Sequence, residues 1–191
     1  MFKTLLIRIA RDLSSAGLPY MIIGGQAVLL YGSPRLTRDV DVTLGVSVDE
    51  MDRVITAVGG MGLEIIPRDI EAFIERTFVL PARDSATGIR VDLIFSFTPY
   101  EKQAIERARP IFFDDTPVMF ASLEDVVIHK IFAGRPRDLE DGVTILAKNP
   151  DFDSNYIRKW LKEFDRTMAT GGFSRRFVEL CVQAGQSAER L

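Results

Sequence analysis

The stretch that decides the fold is Met21–Leu44, MIIGGQAVLLYGSPRLTRDVDVTL. It opens as an apolar strand running into Gly24-Gly25. It closes on DVDVTL, a second strand that carries Asp39 and Asp41 one residue apart. Side chains alternate across a strand, so Asp39, Asp41 and Thr43 share one face, and Val40, Val42 and Leu44 take the other. The valine face suits a core. Each carboxylate on the opposite face disfavours ionisation of the other unless a cation intervenes.

A hard divalent cation such as Mg²⁺ meets that need, because it takes oxygen ligands and keeps water or phosphate partners. A third carboxylate follows the same logic. In the later strand IRVDLIFS, Ile89, Val91, Leu93 and Phe95 form an apolar face, and Asp92 lies on the other face with Arg90. If the two strands are neighbours, Asp39, Asp41 and Asp92 can share a metal site. Three carboxylates can hold two divalent ions in the geometry of in-line phosphoryl transfer. Simpler readings stand beside this one: Asp39 and Asp41 in salt bridges with Arg35 and Arg38, and Asp92 paired with Arg90 or Arg83.

The glycines add a second element. A helix beginning at Gly24-Gly25 offers unpaired N–H groups and partial positive charge. Glycine lets a phosphate approach the backbone closely. The same residues also suit a tight strand-to-helix turn. Gly32-Ser33-Pro34 reads as a helix stop.

Around this stretch the pattern is mixed, then purely helical. Phe2, Leu5, Leu6, Ile9 and Leu13 mark an amphipathic first helix. Ser47 and Glu50 suggest a capping box for a helix to Val58. LEIIP reads as a short strand. RTFVLPARDSATGIRVDLIFS and PIFFDDTPVMFAS read as hairpins on either side of the polar helix PYEKQAIERAR. Beyond Ser122, an expected N-cap, helices are expected to Phe132, over Leu139–Ala147, over Asn155–Met168 and from Ser174 to about Ala188. The expected architecture is an α/β (α+β) core over residues 1–120, with a helical region over 121–191.

Composition narrows the function classes. The 191 residues carry 24 Lys and Arg against 27 Asp and Glu, which argues against a general electrostatic grip on nucleic acid. One cysteine, Cys181, makes neither an internal disulfide nor a cysteine zinc site. No apolar run reaches bilayer-spanning length, so no membrane partner is expected. The N-terminus lacks signal-peptide features, and a cytoplasmic location is the expectation.

Taken as a set, Gly-Gly after a strand, a short helix, R-x-T-x-D-x-D over Arg35–Asp41 and the later Asp92 resemble the DNA polymerase β-like nucleotidyltransferase superfamily. The resemblance covers about Tyr20 to Phe97. It implies a mixed sheet with flanking helices, and Asp39, Asp41 and Asp92 as Mg²⁺ ligands, with two ions expected. Gly24 and Gly25 would lie against the nucleotide phosphates. Many members carry Gly-Ser where this chain has Gly24-Gly25, and that spacing, with Arg35 and Thr37, is more similar to the AbiEii-type abortive-infection toxins. LEDVVIHKIFAGRPRDLEDGVTIL, Leu123–Leu146, resembles the same subgroup through Lys130, Arg135 and the R-D-x-x-D at Arg137–Asp141.

The resemblance implies catalytic roles for Asp39, Asp41, Asp92, Lys130 and Asp138. It implies substrate contacts from Gly24, Gly25, Arg35, Thr37, Lys130 and Arg135. Lys130 suits a triphosphate contact as a point charge, or a solvated helix lysine; Asp138 suits an N-cap, a group that aligns Lys130, or one that assists the acceptor hydroxyl, and Asp141 a surface or helix-stabilising position. His129, Trp160 and Phe164 read as structural. The expected reaction moves a nucleoside monophosphate from an NTP to a hydroxyl of RNA, such as tRNA, or of protein. A cognate antitoxin is an expected partner. The alternatives are a small-molecule (antibiotic) nucleotidyltransferase, a non-catalytic nucleotide-binding or regulatory protein on the same fold, and a phosphate-ester hydrolase.

Overall fold

The valine-rich face of DVDVTL explains the centre of the sheet. In a computed structural model, which describes residues 1–34 and 36–186, that segment is β2 (Asp39–Leu44). It lies between β1 (Tyr20–Ile23), antiparallel to it, and β5 (Arg90–Phe95), parallel to it. Val40, Val42 and Leu44 and their β5 neighbours Val91, Leu93 and Phe95 are wholly removed from water. Burying side chains of this kind stabilises the fold by about 1.5–3 kcal/mol each.

The sheet extends from this pair in both directions. Two further strands, β3 (Leu63–Ile65) and β4 (Val79–Asp84), lie beyond β5, and β6 (Arg109–Phe113) and β7 (Thr116–Phe120) complete the other edge. The order is β3-β4-β5-β2-β1-β7-β6, seven strands among the described residues. The sheet is mixed: β1–β7 and β2–β5 are parallel, whereas the β4/β5 and β6/β7 hairpins are antiparallel, as their turn sequences predict. The first helix, α1 (Phe2–Ser15), buries Leu5, Leu6, Ile9 and Leu13, four of the five residues expected on its apolar face.

α2 (Gly24–Tyr31) starts on the paired glycines. The expected capping box at Ser47 is not formed. Ser47 Oγ accepts from the N–H of Asp49 at 3.3 Å, and a single 3₁₀ turn precedes α3 (Met51–Gly60). Glu50 accepts instead from Arg53 at 2.7 Å, so its carboxylate does not reach back. A true capping box opens α5 (Pro99–Glu106), where Thr98 and Glu101 bond reciprocally. One helix escaped the sequence reading, α4 (Ile70–Thr77), capped by Asp69. Its only N-cap signal is the weak bond that Asp69 accepts from the N–H of Ala72, at 3.4 Å.

The chain forms two compact units, Met1–Gln26 with Leu36–Ala121, and Ala27–Arg35 with Ser122–Leu191. Within the second unit are α6 (Leu123–Ala133), α7 (Pro136–Lys148), α8 (Ser154–Thr167) and α9 (Phe173–Gln183). Ser122 caps α6 as expected, its Oγ accepting from the N–H of Asp125 at 3.2 Å. Asp125 is fully buried and accepts from Tyr156 Oη on α8 at 2.8 Å. On α7, Gly142 lets α9 approach closely: a Cβ there would stand 2.5 Å from Leu180 Cδ2. Ala188, the expected end of the last helix, lies outside the described residues.

Candidate active site

The sequence placed Asp39, Asp41 and Asp92 on polar strand faces, and the strand register brings those faces together. Asp41 stands opposite Asp92 and Asp39 opposite Arg90 across the parallel β2–β5 pair. Directly paired residues lie about 5 Å apart on the same side of a sheet. Three carboxylates and one guanidinium therefore occupy four adjoining positions. The pattern continues onto β4, where Arg83 stands opposite Arg90.

The groups are not yet gathered around a common point. Arg90 Nε donates to both carboxylate oxygens of Asp92, at 2.9 and 3.0 Å. The Arg90 guanidinium is held yet more firmly in its charged form, first by the hydrogen bond to Asp92 and further by the charges of Asp92, Asp39 and Asp41. Among the described residues, no three His, Cys, Asp or Glu side chains already stand as a metal-ligating cluster. The donor set nevertheless suits a hard cation: all-oxygen, on one face, with two of its members in register.

Gly24 serves this face directly. Its φ is +62°, which glycine adopts without penalty, and a Cβ built there would lie 1.8 Å from Asp41 Oδ2. The space that a side chain would fill belongs to the Asp41 carboxylate. Gly25 is the next residue of α2 and is buried. Thr37 is also buried, its hydroxyl accepting from Gln26 Nε2 at 2.7 Å, so it ties the loop before β2 to the start of α2. Arg35, expected to contact substrate, lies outside the described residues.

In the second unit, a separate ionic group surrounds Lys130 of α6. Its ammonium is 2.8 Å from Asp138 Oδ1 and 2.9 Å from Asp141 Oδ2. All three side chains are more than nine-tenths buried. Lys130 is thus not a solvated helix lysine, and Asp141, expected at the surface, is its second partner. The signal for Asp141 was present: positions three apart on a helix share a face, as Asp138 and Asp141 do on α7. Nor is Asp138 an N-cap. Arg135 occupies that position without a side-chain bond, Pro136 follows, and Asp138 lies in the first turn. Arg135 Nε donates to the second oxygen of Asp138 while remaining largely in solvent. Burial opposes ionisation of Asp138, but the bonds from Arg135 and Lys130 outweigh it and hold the carboxyl below its ordinary range.

The family described as "Nucleotidyl transferase AbiEii toxin, Type IV TA system" matches residues 9–181. The chain belongs to the AbiEii nucleotidyltransferase family.

Among curated proteins, none matches the AbiEii-family chain in sequence. Solved structures show its fold. The antibiotic-resistance factor ANT(2'')-Ia, solved in solution, superimposes with a TM-score of 0.60 at 15% identity, over 88% of this chain and 93% of that one. An antigenic nucleotidyltransferase-like protein from Paracoccidioides brasiliensis gives 0.58 at 16%, over 95% and 87%. The lincosamide antibiotic adenylyltransferase LnuA, bound to lincomycin, gives 0.51 at 15%, over 74% and 94%. The polymerase β-like nucleotidyltransferase fold expected from the glycines and aspartates is the fold of this AbiEii-family chain.

Other reactive groups stand outside both ionic clusters. Burial pushes the Cys181 thiol up to about 11, against a weaker opposite pull from Arg158, so thiolate chemistry has no place near neutral pH. Trp160 is 8% exposed and tilted against Phe164, in keeping with a packing role.

Proposed function

We propose that this AbiEii-family chain transfers a nucleoside monophosphate from an NTP to a hydroxyl, with Asp39, Asp41 and Asp92 holding Mg²⁺. The observation that supports this reading is the registry of Asp41 with Asp92 on the face that also carries Asp39. Mg²⁺ bound there supplies the charge stabilisation of in-line phosphoryl transfer, most fully as a pair of ions. Gly24, having no Cβ, leaves the Asp41 carboxylate its place on this face. The opening N–H groups of α2, at Gly24 and Gly25, serve as phosphate donors, since the first turn of a helix leaves them without intrahelical partners. Thr37 holds the loop that leads into Asp39. Asp92, on the neighbouring strand, is the group suited to accept the proton of the incoming hydroxyl.

The toxin designation of the family favours a macromolecular acceptor, RNA such as tRNA or a protein side chain, and a cognate antitoxin as partner. The test incubates the full chain with each labelled NTP, Mg²⁺ and, separately, tRNA, lysate protein and an aminoglycoside. The expected result is Mg²⁺-dependent label on RNA or protein, lost in Asp41→Asn. Label on the aminoglycoside alone would move the assignment to small-molecule transfer. Free nucleoside monophosphate without labelled acceptor would make the chain a hydrolase.

A further inference from the structure

Arg90 occupies the position where a cation is most needed. It extends from β5 beside Asp39 and bonds both oxygens of Asp92, two residues along the same strand face. On its other side stands Arg83 of β4, a like charge directly across the sheet. On the β2 side, the charges of Asp39 and Asp41 add to that of Asp92 in favouring the guanidinium there. Yet 56% of the Arg90 side chain remains in solvent, against 18% for Asp92. Water is therefore an alternative partner within reach of the guanidinium.

We propose that Arg90 is a resident counter-ion that competes with the divalent metal for Asp92, so that metal binding and release of the guanidinium are one coupled event. The inference rests on the Mg²⁺ reading of the carboxylate face. Its physical basis is exclusion. An oxygen whose lone pairs point at Nε–H is not turned toward a metal shared with Asp41. The counter-ion stabilises the face before metal binds and sets how much Mg²⁺ is needed to displace it. An exposed pair of this kind is worth a factor of about two to five in an equilibrium constant. That factor tunes the metal requirement without abolishing it.

Titration calorimetry of the full chain with Mg²⁺ at low ionic strength tests this. Arg90→Gln is expected to bind Mg²⁺ about two- to fivefold tighter than the wild type, the penalty of the ion pair being removed. Arg83→Gln deletes the same charge from the same row without touching a carboxylate, and is expected to change affinity by less than about twofold. In the wild type, the Arg90 Nε–H resonance is expected to shift and exchange faster with water as Mg²⁺ saturates; this readout does not depend on how the variants fold. Unchanged or weaker binding by Arg90→Gln, equal gains in both variants, or an Nε–H signal indifferent to Mg²⁺ overturns the inference and leaves the metal reading standing. Absence of Mg²⁺ binding by the wild type overturns both.

Discussion

Asp92 and Asp138 each hold a cation at hydrogen-bond distance, yet the two pairs stand in opposite surroundings. On the sheet face of the first unit, Arg90 and Asp92 are partly in water, at 56% and 18% exposure. In the second unit, Lys130, Asp138 and Asp141 are 6%, 5% and 9% exposed. Water screens the first pair and offers each member another partner. It offers the second none, so the two carboxylates that flank the buried lysine are its polar surroundings. Breaking a buried pair leaves an uncompensated charge, at a cost of about 3–5 kcal/mol, whereas an exposed pair is worth about 0–1 kcal/mol. The same chemistry thus stands partly open to water in one unit and closed away from it in the other.

The contrast is broken most sharply by neutralising one member of each cluster. Asp41→Asn is expected to lower Mg²⁺-dependent nucleotidyl transfer by about a thousandfold, because metal stabilisation of a phosphoryl transition state amounts to several kcal/mol. Its thermal midpoint should hold or rise, since one of three mutually repelling charges is gone. Lys130→Met is expected to do the reverse in urea unfolding, destabilising the chain by about 3–5 kcal/mol. A further Asp138→Asn, Asp141→Asn exchange in that background should recover part of the loss. Equal stability of Asp41→Asn and Lys130→Met would erase the distinction.

Gly24→Ala sharpens the first half of the comparison. A left-handed backbone costs an alanine about 1–2 kcal/mol, and its Cβ would fall 1.8 Å from Asp41 Oδ2. Calorimetry should show weaker Mg²⁺ binding in a chain that remains folded by circular dichroism. The smallest effect is a pH dependence of the second half. The Asp138 carboxyl is held below its ordinary value of 3.8 despite the opposing effect of burial, by bonds from Arg135 and Lys130. A depressed carboxyl contributes stability that is fully present above the unfolded value and is lost as pH falls through the folded one. Unfolding free energy should therefore decline as pH drops below about 4, and Asp138→Asn should flatten that decline.

The sequence by itself determined the strand–Gly-Gly–helix–strand frame and the sidedness of Asp39, Asp41 and Asp92. These follow from alternation along a strand and from local turn chemistry, which need no knowledge of distant neighbours. The hairpins and the Ser122 cap were legible for the same reason. Where two local signals competed, local reasoning failed: Ser47 bonded Asp49 rather than forming a box with Glu50. Only the tertiary structure decided which strands became neighbours. That choice set Asp41 opposite Asp92 and Arg90 opposite Asp39, and it placed the Asp41 carboxylate where a Gly24 side chain would have been. It also decided burial. Lys130 and Asp141 look like surface residues in a sequence window, because their composition favours water. Mutual neutralisation inside the helical unit is what let both be buried, and that energy exists only once α6 and α7 are packed.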